Sequence, residues 1–496
     1  MEPTTIEAAC GPIQGREKEG ALLFAGIPYA QPPVGELRFK APRPLGKFAT
    51  PYSALKFGPA APQLSGTGLT DSASVRWDED CLTLNISAPI AVADADDQGG
   101  RAVLVWIHGG GYATGQGAIP WYNGNRFAKN QDIVAVSINY RLGALGFADM
   151  SALGDEFATS SVNGTLDQIA ALTWVRNNIA AFGGDPNRIT IAGESAGGFS
   201  VATLLGCEVT KGLFQRAILQ SGAAHHTLPK AAAERVTEAF LRHLGQDNAV
   251  GALAASADDI LAAQKATMTE FASEVGIKNK LGTAVSPFYP AHGTALLPES
   301  PLQAIRRGVG AEVAIVTGSN TDETTLWSYG EVDEEKVAQT AASSGAEAAL
   351  NEYRKNRPDA TNAEILTAMT SDHMFRIPSI RLLEARASHT QDNWAYQFDW
   401  ESRGFGGKLG ATHSLEIPFM FDNLDRAGVD IFLGPGDLPQ ALATTMHQAW
   451  ADFIKHGDPG WPRYELGMRT TQFFDETCHL VNDPAGSERE AWEGVR

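Results

Sequence analysis

Residues Gly193-Glu194-Ser195-Ala196-Gly197 follow a β-rich run, Arg188-Ile189-Thr190-Ile191-Ala192, and precede a segment that can be helical. A serine on such a strand-to-helix elbow is pushed out above the sheet, because the flanking glycines leave room for a cramped backbone. Ser195 is therefore a candidate nucleophile. Upstream, a second strand-like run ends in His108-Gly109-Gly110-Gly111-Tyr112. Consecutive glycines leave backbone N–H groups uncovered, and aimed backbone donors stabilise the oxyanion of a tetrahedral intermediate by about 10²–10³ in rate per donor. Two such strings, each at a strand end and in this chain order, point to acyl transfer through serine.

A serine hydroxyl is a poor nucleophile until a base takes its proton, and the base needs an acid to hold it. The chain order that goes with this elbow is serine, acid, histidine. Six histidines come late enough, His373, His389, His413, His447, His456 and His479, and composition does not choose among them. His413 lies in Gly410-Ala411-Thr412-His413-Ser414-Leu415-Glu416-Ile417-Pro418-Phe419, which is loop-like, with small residues before it and a proline-bounded apolar run after it. His447 and His456 fall within 444–457, which reads as a helix, where a satisfied structural histidine is the simpler assignment.

These groups need a scaffold that brings distant segments together. Continuous apolar runs at 102–107 and 132–138 suggest parallel strands covered on both faces. Between the latter and the serine strand, Leu172, Val175, Ile179 and Phe182 draw one apolar face of a helix over 166–182. Gly183-Gly184-Asp185-Pro186 should end it, since glycine accepts the left-handed cap and proline cannot continue the turn. Further strands are expected at 217–220, 313–316 and 394–398, and alanine-rich helices over about 229–267 and 331–388. The alternation predicts an α/β protein with a mostly parallel central sheet, helices on both faces and large helical insertions that wall a gorge. No repeat and no linker divides the chain, so 1–496 reads as a single domain.

Composition excludes several functions. Lys and Arg number 39 against 58 Asp and Glu, a net charge of -19, so the surface repels phosphate backbones and anionic membranes; neither nucleic acid nor membrane is an expected partner. Hydrophobic residues at 43% and charged residues at 20% are ordinary globular usage. The start, Met1-Glu2-Pro3-Thr4-Thr5-Ile6-Glu7, lacks the basic and apolar regions of a secretory signal. Cys10, Cys81, Cys207 and Cys478 have no metal-ligand spacing and read as free thiols in a reducing compartment.

Beyond the two loops, the chain carries Phe24-Ala25-Gly26-Ile27-Pro28-Tyr29-Ala30, Glu79-Asp80-Cys81-Leu82-Thr83-Leu84-Asn85, Asn139-Tyr140-Arg141-Leu142-Gly143, Phe214-Gln215-Arg216-Ala217-Ile218-Leu219-Gln220-Ser221-Gly222 and Ile454-Lys455-His456-Gly457-Asp458-Pro459. Together these strings resemble the type-B carboxylesterase and cholinesterase family, most of all its bacterial para-nitrobenzyl esterases. The resemblance implies an α/β-hydrolase fold and a serine carboxylesterase. It assigns the nucleophile to Ser195, the acid to Glu323 in Thr317-Gly318-Ser319-Asn320-Thr321-Asp322-Glu323, the base to His413, and the oxyanion donors to the N–H groups of Gly110, Gly111 and Ala196. The family usually has glycine after this glutamate, whereas Thr324 follows here, and Asp322 stays open as an alternative acid. Glu194 is expected behind the nucleophile at the gorge base. Arg38 with Glu79, and Arg141, resemble structural ion-pair residues. Secreted relatives pair the equivalent of Cys81 with an upstream cysteine, and only Cys10 precedes it here, which favours an intracellular, cytoplasmic bacterial enzyme.

The chemistry that follows needs no metal or cofactor. The expected substrate is a small carboxylic ester of apolar or aromatic groups, with the enzyme a monomer or small homo-oligomer. Carbamates or amides could be attacked by the same triad. A non-catalytic adhesion or binding protein, as some members of the superfamily are, is the remaining alternative. Trp77 lies too close to Glu79 to match the choline-binding tryptophan of cholinesterases, so choline esters are not expected. After Gln220-Ser221-Gly222, where the family builds part of its acyl pocket, come Ala223-Ala224-His225-His226; His225 and His226 are candidates to line it, with surface histidines the alternative.

Overall fold

The apolar runs at the centre of the chain form strands because each is buried on both sides. In a computed structural model describing residues 4–64, 75–90, 99–272, 286–327 and 331–495, the first strands are β1 (Thr4–Ala8), β2 (Gly11–Lys18), β3 (Ala21–Pro28), β4 (Tyr52–Ser53) and β5 (Thr83–Ala88). Then come β6 (Arg101–Ile107), β7 (Val134–Ile138), β8 (Gly184–Glu194), β9 (Arg216–Gln220), β10 (Leu228–Pro229) and β11 (Ala291–His292). The last are β12 (Ala314–Asn320), β13 (Asn393–Phe398), β14 (Thr470–Phe474) and β15 (His479–Asn482).

Among the described residues, 13 strands make one sheet in the order β1-β2-β3-β5-β7-β6-β8-β9-β12-β13-β14-β15, with β4 beside β2; β10 and β11 pair separately. From β7 to β14 every neighbouring pair is parallel. β1, β2, β3 and β5 join the sheet antiparallel, as does β15, while β4 runs parallel to β2. Side chains alternate across the sheet. Val103, Val105 and Ile107 pack with Leu172 and Ile191 on one face, while Leu104 and Trp106 pack with Ile218, Trp450 and Phe453 on the other.

The helix expected over 166–182 spans Asn163–Asn178 and tightens into a 3-10 turn, Ile179–Phe182. Its four face residues are all buried, and Gly183 closes it at φ 81°. The helix ends as expected, and Gly184-Asp185-Pro186 already begins β8. Gly184 sits under Ile179 and Val103, where a side chain would press on both, so the chain enters the sheet at once. The alanine-rich stretches are helical as expected, at Lys230–Leu244, Ala249–Ala254 and Ala257–Phe271, and at Glu334–Ser343, Glu347–Asn356, Asn362–Ser371 and Ile377–Arg386. Ser256 and Thr361 cap two of these through their hydroxyls, each accepting from an N–H three residues on.

Two ion pairs, the second fully buried, fasten the loops to this core. Arg38 bonds both oxygens of Glu79, at 2.7 and 2.5 Å, and also donates to the Leu253 and Ala255 carbonyls. Arg141 meets Asp167 in two bonds of 2.8 and 2.7 Å, both side chains almost fully enclosed. Removing one partner of such a pair leaves an uncompensated buried charge. Asp167→Ala should therefore destabilise the protein by about 3–5 kcal/mol, read as a lower midpoint in urea; an unchanged midpoint would refute the role.

Parallel strands point their C-terminal ends to one edge, which is where α/β sheets bind ligands. β6 delivers the glycine loop to that edge, β8 the serine, β12 the acid, and the loop after β13 the histidine.

Candidate active site

At the end of β8 the chain turns through Ser195, at φ 56° and ψ -124°, into the helix Ala196–Leu205. That conformation is strained for a residue with a side chain, by roughly 1–3 kcal/mol. It is held by the Ser195 N–H donating to the Gln220 carbonyl at 3.0 Å, and by the Phe199 N–H donating to the Ser195 carbonyl at 2.8 Å. The flanking glycines are demanded by approach: a Cβ on Gly197 would collide with the Ile107 carbonyl oxygen.

The glycine loop packs directly on this elbow. A Cβ at Gly109 would stand 3.1 Å from Ser195 Cβ and 3.0 Å from Glu194 Oε2. Gly110 and Gly111 both have positive φ, and neither donates its N–H to another described backbone group. Ala196 is buried at the helix N-terminus, where an N–H has no intrahelical acceptor. His108 braces the loop: its Nδ1–H donates to the Gly109 carbonyl at 2.9 Å, and its ring stacks on Tyr140, whose hydroxyl donates to the His108 carbonyl. Burial lowers the His108 pKa to about 4, so that imidazole stays neutral.

Of the six candidate histidines, the structure brings His413 to this edge. Its Nδ1–H donates to Glu323 Oε2 at 2.5 Å, which leaves Nε2 as the basic nitrogen. Nε2 lies 3.1 Å from Oε1 of Glu194, the residue directly before Ser195. Glu323 is fully buried, and its other oxygen accepts the Asn320 N–H at 2.8 Å. Asp322 does not reach the imidazole. Its carboxylate accepts the Ala411 N–H at 3.1 Å and so anchors the loop that carries His413. His447 lies elsewhere in the core, donating from Nδ1 to the Met420 carbonyl and packing on Phe127.

Burial alone would lower the His413 pKa, but the charges of Glu194 and Glu323 outweigh it and hold the imidazole at about 9. Glu194 is itself pushed up to about 6 by burial, against the pull of His413 and of the Ser414 hydroxyl that donates to it. A base must be neutral to accept a proton, so activity should rise as His413 deprotonates. Glu194→Gln removes a neighbouring negative charge and should move that limb of kcat/KM to lower pH. A limb that stays in place or moves to higher pH would contradict the arrangement.

The structure adds groups that sequence reasoning missed. Glu416 is fully buried, accepting from Gln220 Nε2 at 3.0 Å and Asn320 Nδ2 at 2.7 Å; burial and the charges of Glu194 and Glu323 push its pKa up to about 8. The available signal was an acidic residue inside the apolar run three residues after His413. Phe375 and Trp327 flank the His413 ring, with centroids at 4.8 and 5.1 Å. His226 is buried and stacks on Phe199 at 3.5 Å, one turn beyond Ser195, whereas His225 is half-buried.

A profile of the carboxylesterase family matches residues 2–477. The chain is 36% identical to phenmedipham hydrolase of Pseudarthrobacter oxydans, over 96% of this chain and 94% of that protein. It is 35% identical to the para-nitrobenzyl esterase of Bacillus subtilis, over 99% and 98%. A solved Geobacillus stearothermophilus carboxylesterase, 34% identical, superposes with a TM-score of 0.86 over 99% of this chain and 100% of that one. The fold, the serine elbow and these likenesses agree: the chain belongs to the carboxylesterase family, with the α/β-hydrolase fold, and is a carboxylic ester hydrolase.

Proposed function

We propose that Ser195, His413 and Glu323 are the catalytic triad of this esterase, within a single domain, and that the N–H groups of Gly110, Gly111 and Ala196 are its oxyanion hole. The observation that carries the reading is the His413 imidazole, bonded through Nδ1 to buried Glu323 and within reach through Nε2 of Glu194, which directly precedes Ser195 on the strained elbow. His413 takes the Ser195 proton as the hydroxyl attacks the ester carbonyl. The oxyanion rests on the glycine loop; collapse expels the alcohol, protonated by His413, and leaves an acyl-enzyme that water hydrolyses with the same histidine as base. Glu194 stabilises the imidazolium from the Nε2 side.

The substrate class we assign is small esters with apolar or aromatic groups, supported by Phe199, Phe375 and Trp327 around the site. Stopped-flow release of p-nitrophenol from p-nitrophenyl butyrate tests it: a burst equal to the enzyme concentration, followed by slower turnover, is expected. Folded protein with no release would overturn the assignment. Action on carbamates or amides through the same triad is the second reading, favoured by the relative named for phenmedipham. Competition between that compound and the aryl ester, compared as kcat/KM, decides between them. We further place the enzyme in a bacterial cytoplasm, as a monomer or small homo-oligomer; that it lacks nucleic-acid and anionic-membrane partners is supported by the net charge of -19. No described helix is long and apolar enough to cross a membrane.

A further inference from the structure

Thr324 directly follows Glu323, at the position where the family resemblance leads one to expect glycine. It is fully buried in the 3-10 turn Glu323–Leu326, at a negative φ that tolerates any side chain. Its hydroxyl lies 2.8 Å from the Thr370 hydroxyl and 3.2 Å from that of Ser371, and donates to the Thr367 carbonyl at 3.2 Å. Its backbone N–H donates to Ser371 Oγ at 3.2 Å. All of these partners sit on the last turn of the helix Asn362–Ser371. On the other side, the Thr325 hydroxyl donates to the Leu409 carbonyl at 2.5 Å and meets the Thr412 hydroxyl at 2.8 Å. The turn that bears the acid is thus fastened between that helix and the loop that bears His413.

The same helix runs without a break into a π-helical turn, Asp372–Arg376, and that turn aims the Phe375 ring at His413. One continuous unit, residues 362–376, therefore meets the residue beside Glu323 through hydroxyls and the His413 imidazole through an aromatic face. We propose that Thr324 is a positioning residue for the reaction, tying the turn that bears Glu323 to the unit that also supports His413. The proposal rests on the triad assignment above. Glycine could make none of the side-chain bonds. Hydroxyls buried together hold one another in place because each lost bond leaves a partner unsatisfied, and small errors of placement between reacting groups are costly in rate.

The test uses Thr324→Val, which keeps the shape and removes the hydroxyl, with Thr324→Ser, Thr370→Val, the Thr324→Val/Thr370→Val double variant and Glu323→Gln. Thr324→Val should lower kcat about tenfold with KM changed less than twofold, and Thr324→Ser should restore kcat to within about twofold of the parent. Because the two hydroxyls act as one fastening, the double variant should lose no more than the worse single one. A Thr324→Val enzyme that melts lower but keeps the parental kcat would overturn the proposal, leaving Thr324 a merely stabilising contact. Additive losses in the double variant would also overturn it. Should Thr324→Val fail to fold, Thr370→Val carries the same expectation, a fall in kcat at constant KM, and parental kcat there has the same meaning. Glu323→Gln separates the two readings: parental activity in that variant sinks the triad itself, whereas a crippled Glu323→Gln beside a fully active Thr324→Val sinks only the role of Thr324.

Discussion

Ser195→Ala should lower kcat on an aryl ester by about 10⁵-fold or more and leave the protein folded. The serine sits at a strained turn whose hold is backbone bonding to Gln220 and Phe199, which alanine keeps. Loss of the nucleophile removes the acyl-enzyme altogether, so the residual rate comes only from the oxyanion donors and from binding. Both halves of the expectation can be measured, the rate by p-nitrophenol release and the fold by thermal melting. Ser195→Gly should melt higher than the alanine variant, since glycine adopts φ 56° without steric penalty. Parental turnover in Ser195→Ala would remove the serine from the mechanism.

His413→Ala should be nearly as inactive, with a loss of about 10⁵-fold, and Glu323→Ala somewhat less severe because the acid only orients and stabilises the base. The comparison that discriminates is His447→Ala. His447 is buried against Phe127 and bonded to the Met420 carbonyl, so its removal should cost about 1–3 kcal/mol of stability while kcat stays within a fewfold of the parent. The reverse pattern, an active His413→Ala and a dead His447→Ala, would mean that the base had been assigned to the wrong histidine.

The serine elbow and the glycine loop were legible in the chain because close backbone approach leaves a local mark. Gly197 beside the Ile107 carbonyl and Gly109 beside Ser195 admit no side chain, and such positions show as glycine. The strands at β6, β7 and β9 were legible as continuous apolar runs, since a strand covered on both faces has no polar side. The acid–base pair left no comparable mark. Glu323 and His413 are separated by 90 residues, and their meeting depends on the register of β12 and β13 and on the path of the loop that follows. Residue types alone offered six histidines and two neighbouring acids. Asp322 and Glu323 differ in which way the turn faces them: the Ala411 N–H occupies Asp322, whereas Glu323 reaches the imidazole. Glu416 was hidden for the opposite reason, a carboxylate inside an apolar run whose partners, Gln220 and Asn320, come from two other strands.

The carboxylates gathered round His413 also bear on how the product leaves. In the proposed mechanism an ester arrives uncharged, whereas the released acid ionises at neutral pH beside buried Glu194 and Glu323, whose two carboxylates the single His413 imidazolium offsets only in part. Like charges at such short range repel strongly where little water screens them. The released acid should therefore leave readily, which speeds turnover without altering the equilibrium of the hydrolysis.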